Sequence, residues 1–212
     1  MKTFVITIAR GLGSGGSHVA HKLAKELGIP CYDDEILDMA SEKSGINEEY
    51  FYQANERIKK GQLAIAHSKG VYTGTTYAIN DKRYLSNENL FNLQAQIIRG
   101  LALEEKTSCI IIGKAANRII GSLKNVVTVN IQAPIDYCIR NIVNRRMVSE
   151  QEAEALIYET DRYRKDYYKY YMGGEWLNPK EYDLTINTAS VGEDYAVNEI
   201  ISLLKLRKLI EN

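Results

Sequence analysis

Cysteine, histidine and proline are scarce in this 212-residue chain, and neither sign of charge is in excess. The three cysteines, Cys31, Cys109 and Cys138, lie far apart and form no C-x-x-C pair, which argues against a zinc site or a disulfide framework. They read as small core thiols in a reducing cytoplasm. His18, His21 and His67 fall at no spacing that suits a metal ligand or a catalytic base. Lys plus Arg balance Asp plus Glu at 27 each, so no global field recruits nucleic acid or an anionic membrane. Any anion site must be local. No run approaches the ~18 apolar residues that span a bilayer, and no cleavage-like region follows the short apolar "FVITIA" before Arg10. A cytoplasmic protein with a small-molecule partner is the expectation, with no nucleic acid and no membrane; the oligomeric state is left open. With three prolines and no Pro/Ser-rich tract there is no linker, and elaborations read as insertions into one domain.

What is present is a globular mixture, 45% apolar and 25% charged. "TFVITIA" (3–9) is a nearly continuous apolar, β-branched run, as expected of a strand covered on both faces. Val19, Ala20, Leu23, Ala24 and Leu27 then recur at helical spacing, and Gly28 with Pro30 stops the helix. Further strands are expected at 30–33, 108–113, 126–131 and in "YDLTINT". Helices are expected after Asp33, over much of 47–69, from Leu90 through "LFNLQAQIIRGLALEEK", over 134–147 and 149–171, and at the end of the chain. Strands alternating with helices make this an α/β protein, with a five-stranded parallel sheet and helices on both faces.

The chemistry concentrates in "VITIARGLGSGGSHVA". Gly11, Gly13 and Gly16, with Asp33 about 20 residues on, satisfy a dinucleotide-binding template. However, ~75 residues of mostly helix and loop follow Asp33, where that fold brings its next strand after one crossover helix. A phosphate-binding loop, G-x-x-x-x-G-K-[ST], also fits with Ser17 as its hydroxyl and Gly15 in place. It then has Arg10 at the first glycine and Gly16 where the lysine belongs. Either way, Gly13, Ser14, Gly15, Gly16 and Ser17 are small residues leading into a helix N-terminus, whose free N–H groups and positive dipole end attract anions.

"ITIARGLGSGGSHVAHKLAKELGIPCYDDEIL", "LFNLQAQIIRGLA", "CIIIGKAANRII" and "DRYRKDYYKYYMGGEWLNPKEYDLTINT" occur in that order through nearly the whole chain. Together they resemble the cytidylate kinase-like family. The resemblance implies a P-loop nucleoside monophosphate kinase-like domain over 1–212, with a helical acceptor-binding insertion at about 45–100 and a lid at about 145–175. It implies phosphoryl transfer from ATP, with Mg²⁺, to a nucleoside monophosphate, CMP by the family's name. Gly13 to Ser17 would hold the donor phosphates, Ser17 would help ligate Mg²⁺, and Arg10 would supply charge lost with the lysine. Asp33, Arg99 and Lys114 would face the acceptor. Lys114 stands where an arginine is more usual, with Arg118 one turn on as a substitute. Arg145, Arg146, Asp161 and Arg164 are the lid candidates, with Arg146, Asp161 and Arg164 catalytic. The other functional readings are a noncatalytic nucleotide- or phosphate-binding protein and, more remotely, an NAD(P)-binding protein.

Other residues have structural readings. Of Asp33 and Asp34, one is expected to cap the following helix and the other to contact substrate. Tyr163, Tyr167, Tyr170 and Tyr171 share one helical face and are expected to pack on the core, with Trp176 anchoring the return to the last strand.

Overall fold

A computed structural model of the protein describes residues 3–59, 70–104 and 106–211. Its five strands are β1 (Val5–Arg10), β2 (Cys31–Tyr32), β3 (Cys109–Ile112), β4 (Val126–Gln132) and β5 (Leu184–Asn187). They form one sheet in the order β2-β3-β1-β4-β5, and every pairing is parallel. The most apolar run is thus the central strand, bonded to β3 on one side and β4 on the other. This order differs from the 3-2-1 arrangement of a dinucleotide-binding half, so that reading of the glycines is set aside.

Alternation along the strands divides the core in two. Ile6, Ile8, Ile110, Ile112, Val127, Val129 and Ile131 pack with Val19, Leu23, Ile200 and Leu204, from α1 (Gly16–Leu27) and the last helix, α9 (Glu193–Leu206). Val5, Ile111 and Val126 pack instead with Ile36, Phe51, Ile98 and Ile119. These come from α2 (Glu35–Ser44), α3 (Glu48–Lys59), α4 (Asn87–Leu103) and α5 (Ala116–Ile120). A smaller cluster of Cys138, Ile142, Ala153 and Ile157 joins α6 (Ile135–Arg146) to α7 (Glu150–Met172).

Helix boundaries follow local chemistry. Ser149 and Glu152 form a reciprocal capping box at the start of α7, and Gly173 ends that helix in the left-handed conformation. Ser86 accepts from the Asn89 amide at 3.2 Å to start α4. The tyrosine face packs as expected: Tyr167, Tyr170 and Tyr171 are buried, and Tyr171 stacks on Phe91 with centroids 3.9 Å apart. The helix expected over 47–69 is observed as Glu48–Lys59; residues 60–69, His67 among them, lie outside the described residues.

Segment 70–86 is held by two amides that periodicity alone assigns to solvent. Asn92, on α4, accepts from the Gly74 amide at 3.1 Å and donates to the Thr75 carbonyl at 2.7 Å. Asn89 accepts from Tyr77 N–H at 2.7 Å and donates to the Tyr84 carbonyl at 2.7 Å. Both are buried, and they supply partners that a nonrepetitive backbone needs when it packs against a core. None of the described helices is long and apolar enough to cross a membrane.

Candidate active site

The loop from Gly11 to Gly15 leaves the carboxyl end of β1 and enters α1. Gly13 and Gly15 both have φ of +81°, a conformation that side chains disfavour. Space forbids side chains as well: a Cβ on Gly13 would sit 2.6 Å from the Cys138 carbonyl oxygen, and one on Gly15 would overlap the Glu193 carboxylate. The loop's carbonyls are tied back. Gly11 O accepts from Ser14 Oγ at 2.8 Å, Gly13 O from Asn141 Nδ2 at 2.8 Å, and Ser14 O from Thr188 Oγ1 at 2.5 Å. With the carbonyls held, the amides of Gly13 and Gly15 donate to no group among the described residues. That arrangement is an anion cradle.

Arg10, the last residue of β1, leads away from this loop. Its side chain is 15% exposed, and its Nη2 donates to Asp33 Oδ2 at 2.8 Å. Two glycines make room for it. A Cβ on Gly16 would overlap Arg10 Cβ, and a Cβ on Gly113 would lie 2.5 Å from Arg10 Nη1. The arginine at the first glycine position and the glycine at the lysine position are therefore one steric exchange.

Beside the loop lies a cavity of about 310 Å³. Arg10, Asp33, Asp34, Lys114 and Arg164 line it together with Tyr52, Asn55, Tyr163, Tyr167, Tyr168 and Trp176. Lys114 reaches Asp34 at 2.7 Å. The turn that presents Lys114 is strained: Gly113, Lys114 and Ala115 have φ of +70°, +51° and +53° in succession. Two of these are not glycine, a pattern found mostly where function over-determines the backbone.

The α7 residues close the loop side. Asp161 accepts from the Leu12 amide at 3.0 Å, so a carboxylate already sits on one amide of the phosphate loop. Arg164 Nη1 donates to Asp161 at 2.9 Å and to the Arg10 carbonyl at 3.0 Å. Burial dominates the protonation of this pair. It raises the Asp161 carboxyl despite the Arg164 charge. It also lowers Arg164 to about 10, helped by the positive charge of Arg10. Burial likewise pushes the Asp34 carboxyl up, but the Lys114 ammonium and its hydrogen bond outweigh it, and the net shift is downward.

The site residues expected from sequence divide accordingly. Arg10, Asp33, Lys114 and Arg164 meet at the cavity, and Asp161 joins Arg164 to the loop formed by Gly13, Ser14, Gly15 and Gly16. Ser17, the second residue of α1, is half-buried. Arg99 and Arg146 are exposed and do not line the cavity. Arg145 pairs with Glu193 at 2.8 Å, and Arg118 turns to Glu181 at 2.9 Å rather than towards Lys114. Neither aspartate caps α2 with its side chain. Asp34 holds the N-cap position without a capping bond, because its carboxylate goes to Lys114. Asp33 pairs with Arg10 instead. The sequence reading did not single out Asn55 or the loop ties from Asn141 and Thr188. The ties act through contacts distant in sequence, and Asn55 belongs to no motif.

The fit of a magnesium ion is tested by the donors present. Among the described residues no group of three or more His, Cys, Asp or Glu stands ready to hold a metal ion. Magnesium keeps waters and substrate phosphates as most of its ligands, so a lone hydroxyl at Ser17 fits an ion brought in on phosphates.

A family model described as the cytidylate kinase-like family matches residues 5–190. Among solved structures, an uncharacterized protein from Eubacterium ventriosum aligns with a TM-score of 0.70 and 25% identity, over 96% of this chain and 99% of that one. Shikimate kinase from Acinetobacter baumannii, in complex with shikimate, aligns at a TM-score of 0.46 and 13% identity, covering 98% of this chain and 96% of that one. Shikimate kinase from Bacteroides thetaiotaomicron gives 0.47 and 13%, with 95% and 98% covered. Among proteins with curated descriptions, none matches.

Proposed function

Because the chain belongs to the cytidylate kinase-like family, we propose that it transfers the terminal phosphoryl group of ATP to a nucleoside monophosphate, with CMP as the first acceptor to test. The observation that carries this reading is that the loop whose Gly13 and Gly15 amides form an anion cradle follows directly on Arg10, which with Lys114 and Arg164 lines the neighbouring cavity. Phosphoryl transfer asks a protein for positioning and charge stabilisation more than for covalent chemistry, and these are what the site's amides and cations offer.

In the proposed reaction, a phosphate oxygen of the acceptor attacks the γ-phosphorus of ATP. The bond from that phosphorus to the β–γ bridging oxygen breaks, and ADP leaves with the electron pair. Gly13 to Ser17 hold the donor phosphates. Arg10 supplies the charge that a lysine at position 16 would bring, approaching from the strand end rather than from the helix. Arg164, fixed by Asp161, meets the phosphoryl group from the lid side, with Arg146 as a further lid cation that would have to move in. Asp33 and Lys114 are assigned to the acceptor, whereas Arg99, exposed and outside the cavity, is given no part in it. A magnesium ion, when bound with ATP, would neutralise the phosphate oxygens, and Ser17 is the side chain that would touch it.

A second reading, noncatalytic nucleotide binding, draws on a specific feature. Arg10, Lys114 and Arg164 are each paired with a carboxylate, and Asp161 occupies the Leu12 amide. The experiment that separates the two is ADP and nucleoside diphosphate formation from MgATP across a panel of monophosphates. One-for-one formation of both products supports the transferase; binding of MgATP without either product supports the second reading.

A further inference from the structure

The cavity contains unmet hydrogen-bonding capacity as well as paired charges. Arg10 Nε, Asn55 Oδ1 and Tyr167 Oη are buried and have no hydrogen-bond partner among the described residues, and all three belong to residues lining this one cavity. Leaving a buried polar atom unpaired is costly, and such atoms are few in native proteins. Tyr167 is 7% exposed, with its ring held in place edge-on to Phe91 and Tyr171 at 5.7 and 4.8 Å. The core fixes the ring, while the hydroxyl is left for something else.

The chemistry of the three atoms is directional. Arg10 Nε–H only donates, Asn55 Oδ1 only accepts, and the phenol does either. Arg10 is at the sheet end beside the phosphate loop, whereas Asn55 and Tyr167 come from α3 and α7. Between them the walls are aromatic, with Tyr52, Tyr168 and Trp176. A flat ring suits such walls.

We infer that Asn55 and Tyr167 select the acceptor, requiring a ring whose exocyclic amino group donates to Asn55 Oδ1 while its anionic end lies towards Arg10. The inference rests on the reading that this cavity holds the acceptor. It assigns discrimination between amino and oxo forms of one ring to these two residues, because an oxo oxygen would face the Asn55 oxygen without a proton between them. A site built to hydrogen-bond a group rejects the analogue that lacks it far better than apolar packing does.

The test uses the full chain, with the emission of Trp176, the sole tryptophan, as the binding signal. CMP and UMP differ in the required way and are titrated against wild type, Asn55→Leu and Tyr167→Phe, with a thermal melt for each. Wild type is expected to prefer CMP by about 10-fold or more, and Asn55→Leu to reduce that preference to within about 3-fold. Tyr167→Phe is expected to bind CMP about 5- to 10-fold more weakly while melting no lower than wild type, since it removes an unpaired hydroxyl. A hydroxyl with a purely structural role gives the opposite pattern, a lower melt with unchanged affinity. That pattern, equal binding of CMP and UMP by wild type, or retained preference in Asn55→Leu would each overturn the inference. If no monophosphate binds wild type, the acceptor reading of the cavity falls with it; if both bind alike, only the assignment to Asn55 and Tyr167 falls.

Discussion

Arg10 and Gly16 occupy one space: a Cβ on Gly16 would overlap Arg10 Cβ, with Arg10 Cγ 3.2 Å and Ile131 Cβ 3.3 Å away. Position 16 therefore tolerates a side chain only when position 10 gives up its own. The two departures from the phosphate-loop pattern compensate each other, and neither alone is a sign of decay. Gly16→Ala is expected to lower stability by about 1–3 kcal/mol through overpacking, and Arg10→Gly/Gly16→Ala to recover most of the loss caused by overlap. Denaturant melts of the single and double variants check this. Independent, additive effects would show that the contact is not shared.

The Asp161 carboxyl gives the stability a pH signature. Burial raises it above its ordinary value of 3.8, against the pull of Arg164 and the Leu12 amide. The folded state then holds this proton to higher pH than the unfolded state does. Its favourable contribution is fullest below the unfolded value and is lost as pH rises through the folded one. Asp161→Asn cannot titrate, so its stability should rise more steeply with pH than that of wild type as pH is raised from the ordinary carboxyl value of 3.8 through the folded one. Urea midpoints across that range measure the difference, and parallel curves would contradict the stated protonation.

Asn92 should matter more than a helix-surface amide. Three of its bonds run to segment 70–86, to Gly74, Thr75 and Thr73. Removing them frees an exposed turn from a buried amide, so Asn92→Ala is expected to cost roughly 1–2 kcal/mol. It should also admit proteolytic cleavage within 70–86 before the core unfolds. Cleavage no faster than in wild type would assign the segment's order to other contacts.

Periodicity and turn chemistry made most of the fold legible in the sequence. The continuous apolar runs became β1, β3 and β4, and the alternation of strand and helix gave the parallel sheet. Strand β2 was the weakest signal and is only two residues long. What stayed hidden depends on contacts across the chain. Asp33 and Asp34 look like helix caps because local rules favour Asp there, yet Arg10 and Lys114 claim them. Asn89 and Asn92 look solvated because a helical pattern says nothing about what packs outside it. Gly113 falls at the end of the expected strand 108–113, and the reason for a glycine there, the nearby Arg10 guanidinium, shows only in three dimensions.

The most direct test of the account is the formation of ADP and CDP from MgATP and CMP by wild type and Arg10→Met, measured on folded protein of matched melting temperature. Wild type should form the two products one for one, and Arg10→Met should lose about 10²-fold of that rate, the usual effect of removing one charge-stabilising group from a transition state. A wild-type protein that binds MgATP but makes neither product with any monophosphate would contradict the transferase, and an undiminished rate in Arg10→Met would contradict the role given to Arg10.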